Sequence, residues 1–391
     1  MTSFREPLPL SDPQALRIVA PWTLLSSVLL RCCALNRIDG CVVDNILDYC
    51  ARLLSGLMAL LATPNYTAIF KSVLSAGSHA GPWQLLGLFL VSSMVMVWRL
   101  NAFEKRGFEG TAIGTMVMPY CSGFSNLAFA YVMGTTGGDA AMVLENCIVN
   151  NVTNLTILLG IPALLWGLTL KGTKEDRSEE KLDYLSLLLT LIAMVFFTAV
   201  TWALGRDGVL NQGDGLVLMG LFLFWQVFQV FDVMKTNVQK HRAVSLWVVV
   251  DILLVGGAAW GTYVSIEGLV AWVSAGGGGI ISTSQIGILS GLLMVVPNGL
   301  LAFYYAAVDR SDIAYSSQIG DGHICIPMCI GIFAFFSPIR IPDSFETGAF
   351  TIMAACAVHF FFVGAIKRLP RGAGALLAAS YGYFIYKGIL M

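Results

Sequence analysis

Of the 391 residues, 57% are hydrophobic and 12% charged, where a soluble domain carries about a quarter of its residues as charges. That balance excludes a soluble globular fold, and a formal net charge of −1 argues against a nucleic-acid partner or an acidic docking surface. Nine cysteines without a close-spaced CxxC pair give no zinc-ribbon or thioredoxin-like motif. The chain reads as an all-α, polytopic membrane protein whose surroundings are lipid.

Residues 1–34 open with a polar, Pro-rich stretch. Arg17 then precedes the apolar run Ile18 to Leu30, whose roughly 13 residues are short for a bilayer crossing. This segment is either a signal peptide cut near Cys33 or Ala34, or a retained short anchor. Residues 35–82 form a non-cytosolic segment with a short helical stretch, Leu53 to Ala62. If it is translocated, Cys32, Cys33, Cys41 and Cys50 are disulfide candidates, and Asn65 in Asn65-Tyr66-Thr67 is a glycosylation candidate.

From Trp83 onward ten spans are expected, at about 83–101, 109–133, 141–170, 184–204, 213–233, 244–273, 286–308, 313–337, 347–366 and 371–391. Clusters of Lys and Arg fall on alternate loops, at Arg99 to Arg106, Lys171 to Lys181, Lys235 to Arg242, Arg310, and Lys367 to Arg371, which marks those loops as cytosolic. The spans divide into a first five-helix unit, 83–233, a short cytosolic linker, 234–243, and a second five-helix unit, 244–391. Five is odd, so the two units would lie in the membrane with opposite orientation, as an inverted repeat with its binding site at the midplane.

A repeated polar skeleton supports that division. Pro119-Tyr120 is followed by Asn150, Asn154 and Gly160, and Pro297-Asn298 by Asp321, Cys325 and Gly331, with equal spacing inside each final triplet. On a helix, Asn146, Asn150 and Asn154 share one face, as do Ser317, Asp321 and Cys325. Polar stripes in apolar spans are costly unless they face a partner or a watery cavity, so they mark either a transport site or helix-tying amides. Pro119 and Pro297 are placed where helix breaks would free carbonyls for an ion. His323 projects about 200 degrees from Asp321 on a helix, so no resident metal centre is assigned, and no cofactor is implied. Glu145 and Asp251 are further intramembrane acids.

These residues resemble the cation/calcium exchanger superfamily, in which each of two repeats carries a Pro-containing break followed by a Ser-Asn-x-x-Asn core and a downstream Gly. Here the cores read Asn150-Asn151-Val152-Thr153-Asn154 and Asp321-Gly322-His323-Ile324-Cys325. The segment Cys33 to Cys50 is similar to the cysteine-bearing ectodomain of the mitochondrial sodium/calcium/lithium exchanger and plant cation/calcium exchanger branch. The resemblance implies a secondary transporter, not an enzyme, that moves calcium, sodium or protons by alternating access. Its ion-binding residues would be Tyr120, Asn126, Asn150, Asn154, Asn298, Asp321 and Cys325. Tyr120 and Asn298 stand where the family has acids, and calcium prefers carboxylates among six to eight oxygens, so calcium specificity is not implied. The alternative is an exchange-deficient scaffold reused for binding, regulation or catalysis around a neutral cavity lined by Tyr120, Asn126, Asn298, Tyr304 and Tyr305.

Overall fold

A computed structural model describes residues 81–105, 118–170, 177–237, 246–272 and 286–387. The signal or anchor segment, Cys32, Cys33, Cys41, Cys50 and Asn65 lie outside the described residues. The four cysteines with described side chains, Cys147, Cys325, Cys329 and Cys356, are buried free thiols.

Among the described residues the first part of the chain forms α1 (Pro82–Lys105), α2 (Met118–Thr136), α3 (Ala140–Leu155), α4 (Ile157–Trp166), α5 (Arg177–Leu204) and α6 (Gln212–Asn237). The second part forms α7 (Leu246–Trp272), α8 (Ile286–Ala307), α9 (Ser311–Ile324), a π turn (Cys325–Cys329), α10 (Ile330–Phe336), α11 (Ser344–Ile366) and α12 (Arg371–Ile385). Among the described residues, the stretches long and apolar enough to cross a bilayer are Ala140–Trp166, Tyr184–Asp207, Gly287–Ala307, Ser311–Phe336 and Ser344–Ile366. With only 12% charged residues, the chain is a multi-pass membrane protein.

Local sequence sets the ends of these helices. Asp139 caps α3 by accepting the Ala141 backbone N–H at 3.0 Å, and Lys367, in left-handed conformation, closes α11. Gly167, at φ 71°, ends α4 in a backbone conformation that side-chain-bearing residues rarely adopt.

Pro119 is the second residue of α2 and borders residues outside the described set, so of the two expected breaks only the one at Pro297 falls within described helix. Pro297 sits inside α8, which runs unbroken from Ile286 to Ala307, so the break expected there is absent. The interruptions fall instead in the two stripe-bearing helices. Between α3 and α4, Thr156 adopts φ −104°, ψ −74°, and its hydroxyl bonds back to the Val152 carbonyl, a local competitor to the helix ladder. In the other run, Pro327 lacks an N–H and its ring crowds the carbonyl four residues earlier, and the helix widens into the π turn around it.

Two sets of contacts cross between the first and second parts of the chain. Two short antiparallel pairs join β1 (Leu168–Thr169) to β4 (Arg368–Leu369), and β2 (Val209–Leu210) to β3 (Ile339–Arg340). Two glycine crossings accompany them. A Cβ on Gly374 would lie 2.6 Å from the Gly160 carbonyl oxygen, and one on Gly215 would lie 2.7 Å from that of Gly331. Only glycine lets these backbones meet. Each crossing pairs the fourth residue of a closing helix, α12 or α6, with the glycine downstream of a stripe.

Candidate cation site

The stripes on α3 and α9 face one another in the interior. Asn154 donates through Nδ2 to Asp321 Oδ2 at 2.8 Å and to Asn150 Oδ1 at 2.9 Å. Asn298, on α8 just after Pro297, donates to the same Asp321 oxygen at 3.0 Å and weakly to Asn154 Oδ1 at 3.4 Å. Cys325 turns its Sγ toward Asp321 Oδ2 at 3.8 Å. All five side chains are buried. Asn150, Asn154, Asn298, Asp321 and Cys325 are thus one cluster contributed by three elements and the π turn.

The rest of the predicted set is placed differently. Asn126 is buried on α2, and neither its Oδ1 nor its Nδ2 has a partner. Three residues earlier, and so on the same face, Gly123 abuts the cluster: a Cβ there would stand 3.0 Å from Asp321 Oδ1. Tyr120 is 42% exposed, near the start of the described α2, and does not join the sealed cluster. Tyr305 packs into an apolar cluster with Met96, Val255, Leu301 and Ile313, and its ring meets Tyr304 edge-on at 5.1 Å. Tyr305 is thus placed among apolar side chains. A tyrosine's large apolar ring finds better burial against Met and Leu than beside amides.

Several contributors were not singled out from sequence. Gln318 donates through Nε2 to the Asn298 carbonyl at 3.2 Å and to Ser317 Oγ at 3.1 Å, while its Oε1 has no partner. Asn150 Nδ2 is likewise buried and unpaired. Asn146 donates to Ser290 Oγ at 2.9 Å, tying α3 to α8, where Gly287 and Gly291 permit the close approach. Gln318 immediately follows Ser317, and its backbone position gave no warning that its amide would curl across to α8.

Two buried histidines flank the stripes, each engaged at both ring nitrogens. His323 Nε2 meets the Thr190 carbonyl at 2.8 Å, and Trp225 donates its indole N–H to His323 Nδ1 at 3.1 Å. A carbonyl only accepts and an indole N–H only donates, so the tautomer is Nε2–H. His359 meets the Leu155 carbonyl at 2.7 Å, and its Nδ1 lies 3.0 Å from the Tyr315 hydroxyl. The Leu155 carbonyl lies at the α3/α4 interruption, so His359 satisfies a group that the break would otherwise orphan. His323 thus binds helix to helix and faces away from Asp321. Asp251, a second fully buried acid among the described residues, pairs with Arg99 at 3.3 Å, and that guanidinium also lies over the Trp98 ring. Arg99, grouped by sequence with the loop charges, is therefore part of α1.

The arrangement gives one buried carboxylate ringed by neutral amides whose remaining polar atoms are partly unsatisfied. Such a set can hold a small cation by carboxylate and amide oxygens.

The sequence profile of the family described as sodium/calcium exchanger protein matches residues 83–231, that is, α1 to most of α6. No curated protein sequence matches the chain. Among solved structures, the fold is similar to that of the sodium-calcium exchanger NCX_Mj. Against that protein soaked with 2.5 mM Na+ and 1 mM Sr2+, the TM-score is 0.60 at 16% identity, covering 80% of this chain and 98% of the other. Against a form soaked with 100 mM Na+ and 10 mM Sr2+ it is 0.59 at 17% identity, with 78% and 99% covered. Against one soaked with zero Na+ and Ca2+ it is 0.58 at 15% identity, with 78% and 98% covered. The profile ends before α7, so in the second part the likeness is carried by fold.

Proposed function

We propose that the protein is a secondary transporter of the cation/calcium exchanger type, which moves a cation bound at Asp321 between two inverted five-helix units. The observation that carries this reading is Asp321 itself: a carboxylate buried among apolar helices and met by Asn154 and Asn298 from two other helices. Intramembrane acids are costly to bury, and by default they mark a functional site such as an ion pathway or proton relay. The family profile over 83–231 and the fold shared with NCX_Mj support the exchanger class. The two glycine crossings and two strand pairs, each linking corresponding points of the first and second parts, support the inverted repeat. The remaining sites of the resemblance, Asn126, Asn150 and Cys325, are part of the proposal, as is the narrower branch suggested by the Cys33 to Cys50 segment.

The test is cation flux in proteoliposomes holding the purified full-length chain, with Asp321→Asn as the comparison. Uptake by the wild type that falls to the empty-liposome background in the variant supports the reading. A second reading, an exchange-deficient scaffold, is favoured by one feature: Asp321 Oδ2 already receives two amide N–H groups and lies against a thiol, which leaves the cluster self-satisfied on that side. Absence of wild-type flux for monovalent and divalent cations alike would select it.

A further inference from the structure

We propose that Cys147 and Cys329 are a redox pair, which an uncharged peroxide converts into a disulfide that pins α3 to the π turn and stops uptake at the neighbouring cluster. Geometry places the two together. Asn154 on α3 meets Asp321 on α9 at 2.8 Å, and three residues earlier Asn151 lies against Gly322, where an added Cβ would stand 2.6 Å from its Oδ1. The contact moves backward along α3 as it moves forward along the other run, so the two pack antiparallel. Cys147 lies seven residues before Asn154, two helical turns away on the same face. Cys329 lies eight residues after Asp321, at the far end of the π turn that Cys325 opens. The same register therefore carries Cys147 to Cys329, and the Cys329 thiol meets those of both Cys147 and Cys325. All three are buried free thiols.

The trio differs from an isolated buried thiol. The nucleophile is the thiolate, and a thiol sealed among apolar side chains is inert because nothing there supports the charge. Here Cys325 turns its Sγ to Asp321 Oδ2 at 3.8 Å, and Cys329 touches two other sulfurs. Cys356 on α11 is equally buried without belonging to the trio, which makes it the internal comparison. Disulfides span Cα atoms about 4.4 to 6.8 Å apart, so two helices are bridged only where they approach closely. Gly322 permits that approach, since Asn151 Oδ1 and the Met194 sulfur occupy the place of its Cβ. Pro327 removes one N–H from the ladder between Cys325 and Cys329, which leaves the main chain of the π turn freer to shift than a regular α turn.

The oxidant class is a neutral peroxide, hydrogen peroxide being the smallest, because buried thiols are closed to charged or bulky reagents. The Cys329 sulfur attacks one peroxide oxygen, the O–O bond breaks, and the thiol proton leaves with the departing hydroxide as water. The Cys147 sulfur then attacks the sulfenic acid so formed. The S–S bond forms, the S–O bond breaks, and a second water carries off the Cys147 proton. Two electrons pass from the thiol pair to the peroxide. Cys325 stands one turn from both Asp321 and Cys329, so drawing Cys329 toward α3 moves a wall of the Asp321 cluster. The loss of uptake rests on the transport reading; the bridge itself does not.

The experiment treats the full-length chain with hydrogen peroxide, in detergent and in proteoliposomes, then alkylates, digests and maps it by mass. The expected product joins the Cys147 peptide to the Cys329 peptide while Cys356 is recovered alkylated. The melting temperature should rise with the bridge and return with dithiothreitol, and cation uptake should fall to the empty-liposome background and recover on reduction. In Cys147→Ser, peroxide should shift neither quantity; Cys329→Ser takes its place if that variant fails to fold. A bridge between Cys325 and Cys329, or all three recovered as alkylated thiols, overturns the pair. A complete bridge that leaves uptake intact overturns its action on the cluster. Absence of uptake before any oxidant counts against the transport reading alone, and the mapping and the melting temperature still decide the pair.

Discussion

The two glycine crossings and the two polar stripes occupy corresponding places in the first and second parts of the chain, yet they have diverged to very different degrees. Gly160 meets Gly374 and Gly331 meets Gly215 at nearly the same approach, 2.6 and 2.7 Å for the tighter Cβ position of each pair. In sequence register Asn150 corresponds to Asp321 and Asn154 to Cys325, so an amide in one stripe is matched by an acid and a thiol in the other. Backbone contact admits one residue type, and any added atom collides with main chain that cannot move aside. A polar site accepts many side chains so long as hydrogen bonds close. The packing frame is therefore symmetric while the chemistry is lopsided, with all of the cluster's negative charge on one side.

Asp321→Asn is the most severe way to test that lopsidedness, because it gives the second stripe the residue the first already has. Shape is nearly kept and no buried charge is left behind, so folding and insertion should survive while cation uptake falls to background. Uptake indistinguishable from wild type would reduce Asp321 to a helix tie. Gly123→Ala should act more gently, lowering uptake by about tenfold through a Cβ pressed 3.0 Å from Asp321 Oδ1, with the melting temperature little changed.

The symmetric frame makes the opposite kind of prediction. Gly374→Ala and Gly215→Ala should each destabilise by about 1 to 3 kcal/mol, and by similar amounts, as read from thermal unfolding in detergent. Gly257→Ala, where nothing lies within 4 Å, should be neutral or slightly stabilising. Unequal losses at the two crossings would show that the frame is less symmetric than its distances. The smallest effects belong to the two histidine bridges. Trp225→Phe removes the donor to His323 Nδ1 and Tyr315→Phe removes the hydroxyl beside His359 Nδ1, each costing about 1 kcal/mol of stability without loss of uptake.

The stripes were legible because a helix turns every 3.6 residues, which makes spacings such as Asn150 to Asn154 and Asp321 to Cys325 visible without coordinates. Gly160 and Gly331 were legible as equivalents for the same reason. Their partners Gly374 and Gly215 were not, since each lies in the other part of the chain and no local pattern announces a contact across such a distance. The helix interruptions were misread because proline is a local signal whose outcome depends on context. Pro297 is carried within an intact α8, while Thr156 and Pro327, which no pattern marked, sit at the real interruptions. Tyr120 was placed at the site because it follows Pro119 where the resembled family carries an acid, and its 42% exposure reflects a helix face that such a correspondence does not determine.

The crossings also constrain the order of events during synthesis. Residues through α6 leave the ribosome first, carrying Gly160 and Gly215 with their partners still untranslated and Asn154 without its carboxylate acceptor. Helices α3 and α4 can insert at that stage, but their most closely packed face must wait on lipid or on a chaperone until α10 and α12 arrive. Closure of these long-range contacts then comes late, with α12 sealing the first crossing against α4. A nascent chain halted before Arg371 would hold every residue of the Asp321 cluster and still lack the backbone contact that fixes α4 in place.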